Sequence, residues 1–167
     1  MRTLLATLLL LPITAVAADF RFLDFDAGCA DVEMREVAAG SVPIPWRQPE
    51  DGELHAFRGR AFDREVSIVY FCVDGKLFTG NYFFPDELLK EAAESYRRIY
   101  DELNALYGAP FLDDTPWQNG VRNPLIKPRY YASWRTSGRS VYATLMRRRG
   151  APDSTRHVFV VFSRLRT

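Results

Sequence analysis

Between Pro85 and Gly108 the apolar residues Leu88, Leu89, Ala92, Ala93, Tyr96, Ile99, Tyr100, Leu103, Leu106 and Tyr107 recur at helical spacing and form one broad stripe. Pro85 suits a first helical turn, Asp86 and Glu87 complement the positive end of the dipole, and Gly108 followed by Pro110 ends the element. The pattern predicts one long helix over 85–108. A short helix is expected over 30–39 (ADVEMREVAA), closed by Gly40.

Elsewhere the period is two. Strands are predicted over 54–62, 65–72 and 76–84, then over 129–135, 140–147 and 156–165, with a short one at 20–25. In the 65–84 hairpin, a two-residue loop at Asp74-Gly75 mixes polar and apolar residues on both faces. A three-residue loop with Gly75 left-handed sets Val66, Ile68 and Tyr70 against Tyr82, Gly80 and Phe78, so the three-residue loop is the expected one. The long helix is expected on that face, which Phe84 continues. Proline-rich stretches over 41–52 and 109–128 carry Pro45-Trp46 and Pro116-Trp117 at comparable places. The fold class expected is therefore α+β: a single domain over 19–167, with antiparallel sheet of six to seven strands in two helix–βββ halves.

The first eighteen residues read as a signal peptide. Arg2 supplies the positive start, Leu4 to Leu11 the apolar core, and Ala15-Val16-Ala17-Ala18 the small residues for cleavage near Ala17 or Ala18. No later apolar run spans a bilayer, so a periplasmic or secreted bacterial protein is expected. In an oxidising compartment the two cysteines, Cys29 and Cys72, are expected to pair.

Charge is informative through its distribution. Residues 19–127 carry 12 Lys and Arg against 20 Asp and Glu, and residues 128–167 carry 9 against 1. The basic residues of the second segment are all arginine: Arg129, Arg135, Arg139, Arg147, Arg148, Arg149, Arg156, Arg164 and Arg166. Either antiparallel packing lets the two parts neutralise one another, or the arginines form a docking surface for an anionic partner.

Catalytic signatures are missing from the sequence. His55 and His157 stand in strands without a motif, Asp24, Asp26 and Asp31 lack a calcium-loop pattern, and no nucleophile elbow or phosphate loop occurs. No metal, cofactor or nucleic acid is expected. Asp113 and Asp114, beside Trp117, are the best carboxylates for hydrolysis. The binding candidates are Trp46 with Arg47, Trp117 with Gln118 and Arg122, and the Arg147-Arg148-Arg149 run. Tryptophan beside arginine or an amide is an interface anchor, unless each ring folds back to cap the core. The aromatic stock (Phe20, Phe22, Phe25, Phe71, Tyr130, Tyr131, Trp134, Tyr142 and Phe159) exceeds what one helix covers, so part of it must pack elsewhere or form a docking surface. The expectation is a small exported, non-enzymatic binding protein with a protein partner in the cell envelope, of the inhibitor or immunity type. The alternatives are a sensor or carrier for an anionic envelope ligand, and a carboxylate-dependent hydrolase.

Overall fold

A computed structural model describes residues 19–117, 130–147 and 150–165; the expected signal peptide lies outside the described residues. The elements in order are α1 (Val32–Ala38), β1 (Val42–Pro43), β2 (Glu53–Ala61), β3 (Arg64–Val73), β4 (Lys76–Phe83), β5 (Glu87–Leu88), α2 (Leu89–Tyr107), β6 (Leu112–Asp113), β7 (Tyr131–Thr136), β8 (Arg139–Met146) and β9 (Thr155–Arg164). Eight strands lie in the order β1-β2-β3-β4-β9-β8-β7-β6, with β5 paired to β9 as the ninth. Every pairing is antiparallel. The α+β class stands, with nine strands instead of six to seven. The extra ones are two-residue strands inside the proline-rich loops and the approach to α2, too short to show a period.

Each half runs helix, short strand, then three long strands, and the last strands of the two halves, β4 and β9, meet at the centre. Alternation along the strands gives the sheet two faces. One face carries Phe57, Val66, Ile68, Tyr70, Tyr82, Trp134, Val141, Ala143, Val158 and Val160, all buried in one cluster. The other carries Arg58, Ser67, Phe71, Thr79, Asn81, Phe83, Phe159, Tyr142 and Tyr131, by register with them.

The predicted long helix starts later than expected. Leu88 is extended (φ −58°, ψ 148°), and Glu87-Leu88 pair with Arg156 and Thr155 before α2 begins at Leu89. Its C-terminus is closed by Gly108 (φ 79°), whose N–H reaches the Asn104 carbonyl. The buried stripe is also narrower than predicted: Ala92, Tyr96, Ile99, Tyr100 and Leu103 are inside, whereas Leu88, Leu89 and Leu106 are exposed. Trp134 Nε1 donates to Asn104 Oδ1 (2.9 Å), and Tyr96 Oη to the Ala143 carbonyl (3.2 Å). Thus α2 packs on β7, β8 and β9, not on the Val66/Ile68/Tyr70 surface expected for it.

That surface is covered by the N-terminal segment and α1. Phe20 to Phe25 is not the predicted strand: Phe20 and Leu23 exchange backbone hydrogen bonds across a tight turn (2.9 Å each way), with Arg21 in the left-handed region (φ 51°). The turn drops Phe20 among Tyr70, Tyr82 and Phe162, with centroids 4.9–5.4 Å away. Gly80 makes this possible, because a Cβ there would stand 2.1 Å from the Phe20 ring. Arg21 points its guanidinium at Glu36 of α1, Nε to Oε1 at 2.5 Å and Nη2 to Oε2 at 3.0 Å. Glu36 is fully buried and also accepts from Ser41 Oγ (2.6 Å) and Tyr70 Oη (2.5 Å). Burial, and then the hydrogen bond to Glu36, push the Tyr70 hydroxyl well above its ordinary pKa. The Cys29–Cys72 disulfide, expected from the sequence, ties the same segment to β3 across 43 residues. Closing a loop of that length contributes about 4 kcal/mol in the chain-entropy account.

The β3–β4 hairpin keeps the predicted segregation of faces but not the predicted register. Val73 pairs with Lys76, so the turn is the two-residue one, with Asp74 (φ 51°) and Gly75 (φ 69°) both left-handed as a type I′ turn requires. A shift between Phe71 and Cys72 then leaves Phe78 as an extra, bulged residue. Ile68 meets Tyr82, Tyr70 meets Gly80, and Phe78 turns out to solvent beside Phe71 (5.8 Å) instead of joining the core. The bulge reconciles the favourable turn with the apolar face.

Replacing Glu36 with Gln should destabilise the protein by about 3–5 kcal/mol, because it leaves the Arg21 guanidinium without its counter-charge in a buried site. Urea denaturation measures this, and a loss below about 1 kcal/mol would mean that the network is dispensable.

Candidate functional site

All the cover described above lies on one face, and among the described residues no helix packs on the other. On that open face four ring contacts run in sequence, the first from a loop and the other three between strands. Trp46 lies 5.3 Å from Phe83 of β4, Phe83 stacks at 4.4 Å on Phe159 of β9, Phe159 meets Tyr142 of β8 at 6.1 Å, and Tyr142 stacks at 5.9 Å on Tyr131 of β7. Facing pairs of rings at these separations attract beyond their area burial. Burial, with Tyr131 alongside, raises the Tyr142 hydroxyl above its ordinary value, so it stays a neutral donor through neutral pH. Ser67, Thr79, Asn81, Ser133 and Val161 lie between the rings, with Asn81, Ser133 and Val161 buried. Asn81 Nδ2 is held by the Val69 carbonyl and Thr79 Oγ1 (3.2 Å each).

The ladder ends at a cavity of about 300 Å3 lined by Trp46, Arg58, Glu65, Ser67, Phe83, Pro85, Asp86 and His157, among others. His157 is buried and places Nδ1 3.4 Å from Asp86 Oδ1. Arg58 and Glu65 face each other across the rim at 3.9 Å, both largely exposed. In register, Ser67 lies opposite Phe83, and Phe83 opposite Phe159, so a strand separates the hydroxyl from His157. The Trp46 loop is stiffened from both ends: Ile44 N–H donates to the Ala56 carbonyl (2.9 Å), and the Gln48 amide bonds both the N–H and the carbonyl of Leu54 (2.8 and 2.9 Å). Among the described residues no cluster of three or more His, Cys, Asp and Glu could hold a metal ion, and no helix is long and apolar enough to cross a membrane.

The two Pro-Trp pairs follow the short strands β1 and β6 but place their rings on opposite faces. Trp117 sits beside α2 with the core, against Tyr96, Tyr100 and Tyr130 at 5.6–5.8 Å, and Arg97 lies over its ring at 5.6 Å. Trp46 is on the open face and 37% exposed. Arg47 beside it is exposed. Gln118, Arg122, Arg148 and Arg149, with Arg129 and Arg166, lie outside the described residues.

The arginines of the last three strands are engaged within the chain. Arg139 donates to Asp19 Oδ1 from Nε and Nη2 (3.0 and 2.6 Å), Arg164 pairs with Asp26, and Arg147 with Asp153. Arg156 donates to the carbonyls of Asp153 and Thr155 (2.7 Å each), and Arg135 lies 3.9 Å over Phe111. Two of these partners, Asp19 and Asp26, come from the acidic first part. Asp113 is likewise occupied: Oδ2 accepts from Tyr100 Oη, and Oδ1 from the Thr115 N–H at 3.0 Å.

Sequence reasoning set His157 aside for want of a motif and did not single out Phe83, Asp86, Arg58 or Glu65 as site residues. The signal was present in the alternation of β4 and β9, but only the β4–β9 pairing, distant in sequence, joins it into one surface. Comparison with protein-family models, with curated proteins and with solved structures finds no match to this chain.

Because one ring closes the core and the other lies on the open face, Trp117→Ala should lose upward of about 3 kcal/mol of stability. Trp46→Ala should lose under about 2 kcal/mol, since much of its area is already in water. Paired urea titrations would show this order, and equal losses would place Trp46 in the core as well.

Proposed function

We propose that this is an exported, non-enzymatic binding protein that engages a protein partner in the cell envelope through the open face of its sheet. The carrying observation is the ladder Trp46–Phe83–Phe159–Tyr142–Tyr131 on the face that, among the described residues, lacks helical cover. Aromatic side chains combine large area with little rotamer entropy and often hold a polar tip, which is why interface anchors are drawn from them. Sheet positions fix Phe83, Phe159, Tyr142 and Tyr131 more firmly than free loops would, and the Trp46 loop is held at both ends. The Cys29–Cys72 disulfide fits an oxidising compartment. Two competing readings have less support, since Arg139 and Arg164 are paired with Asp19 and Asp26 of the same chain and Asp113 is committed to Tyr100 and Thr115.

The test is capture from an envelope extract with immobilised protein, comparing Trp46→Ala and Tyr142→Ala with Leu106→Ala on the outer side of α2. Each ladder variant should weaken binding of the captured protein by about thirtyfold, equivalent to about 2 kcal/mol. Leu106→Ala should leave it unchanged. Loss through Leu106 with Tyr142 silent would move the interface to the helical side and contradict the reading.

A further inference from the structure

The expected leader fits cleavage in two registers. Compact side chains stand one and three residues before each bond: Ala17 and Ala15 before Ala18, or Ala18 and Val16 before Asp19. The mature chain would begin at Ala18 in the first register and at Asp19 in the second.

The charges of the docked segment separate the two. Phe20 is buried in the core, so processing leaves it in place. Residues 19–26 carry three carboxylates, Asp19, Asp24 and Asp26. Asp19 Oδ1 accepts from Arg139 of β8, and Asp26 pairs with Arg164 of β9. The segment's own guanidinium, Arg21, is engaged by Glu36. Among the described residues no basic side chain pairs with Asp24. The tight turn that joins Phe20 to Leu23 folds Asp24 back on the start of the segment, where its Oδ1 accepts from the backbone nitrogen of Asp19 at 3.3 Å. The Asp19 carboxylate closes the same turn by accepting from the Phe25 N–H at 2.9 Å. Three carboxylates therefore face two guanidinium groups and one backbone nitrogen.

We propose that the chain is cut between Ala18 and Asp19, and that the α-ammonium so formed is the third cation of this cluster, held by Asp24. This rests on the export reading, and it fixes where processing occurs and what the new terminus does. The cut consumes one water. Its oxygen joins the Ala18 carbonyl carbon as the carbon–nitrogen bond breaks, and its two protons end on the Asp19 nitrogen, giving a carboxylate and an ammonium. A peptide N–H gives Asp24 a neutral hydrogen bond, whereas the ammonium gives a charged one, roughly twice as strong. A retained Ala18 would move the ammonium one residue along the chain, about 3.8 Å between Cα atoms, and leave Asp24 with the neutral bond.

The groups facing this nitrogen are the carboxylates of Asp19 and Asp24, with Arg139 beyond Asp19 and the Tyr107 hydroxyl of α2 beside Arg139. A carboxylate in contact favours the charged amine. Its contribution to stability is then fully present below the ordinary α-amino value of about 8 and is lost as pH rises past it.

The full chain, leader included, is expressed in a bacterium, and the N-terminus of the protein in the envelope fraction is read by sequencing and intact mass. Asp19 should be the first residue. Ala18 in first place overturns the assignment but keeps export, whereas an unprocessed chain retained in the cytoplasm removes the export reading with it. The role of the terminus is read on the mature protein and on Asp24→Asn, which keeps an oxygen acceptor, by urea unfolding at about pH 6.5 and about pH 9.5. The variant should unfold about threefold more readily at the lower pH, as an exposed charged pair allows, and by under about twofold at the higher. An equal effect at both pH values would mean that Asp24 holds an uncharged nitrogen, and would overturn the ammonium anchor.

Discussion

The fold depends on the buried carboxylate of Glu36. A carboxylate removed from water is tolerated only when donors saturate it. Here the guanidinium of Arg21, the Tyr70 hydroxyl and the Ser41 hydroxyl converge on its two oxygens. Those groups belong to the N-terminal turn, to β3 and to the residue before β1. One side chain therefore fixes the angle at which α1 lies on the first half of the sheet. It also holds the turn that presses Phe20 onto Gly80, and the disulfide closes the segment at its other end. A helix of seven residues could not hold that position through apolar contacts alone.

This solution explains why, among the described residues, helical cover is one-sided. The first half uses a short helix and an irregular segment, the second uses the long helix α2, and both lie on the same face. The aromatic residues divide accordingly. Phe20, Tyr70, Tyr96 and Trp134 are enclosed, whereas Phe83, Phe159, Tyr142 and Tyr131 line up across the other face and partly shield one another. The edges are guarded by very short strands, one ending in Pro43, which limits pairing with another sheet. Association through the open face is then a matter of side chains.

Much of this was legible in the sequence where the cause is local. The stripe from Ala92 to Leu103, the parity of Val66, Ile68 and Tyr70, and the pairing of the two cysteines follow from period and compartment. Phe78 was misplaced because a bulge adds a residue to β4, which no period-two pattern announces. Residues 85–88 read as helix because proline and acids suit a helix start, but backbone pairing of Glu87 and Leu88 with β9 won. The candidate site was half legible. Trp46 stood out as a ring beside proline, yet the same signature at Trp117 leads to the core. What separates them is which face of the sheet each loop crosses, and that is decided by long-range packing. Asp86, His157 and Phe83 come together only because β4 pairs with β9, two strands some eighty residues apart in the chain.

The central claim is that recognition uses the uncovered sheet face. Hydroxyl-radical footprinting of the protein alone and in complex with the captured partner tests it most directly, because each oxidised side chain reports its own exposure. The account predicts protection at Trp46, Phe83, Phe159 and Tyr142, with Met34 and Leu106 on the helices oxidised as fast as in the free protein. Protection at Met34 or Leu106, with the four rings unchanged, would contradict it.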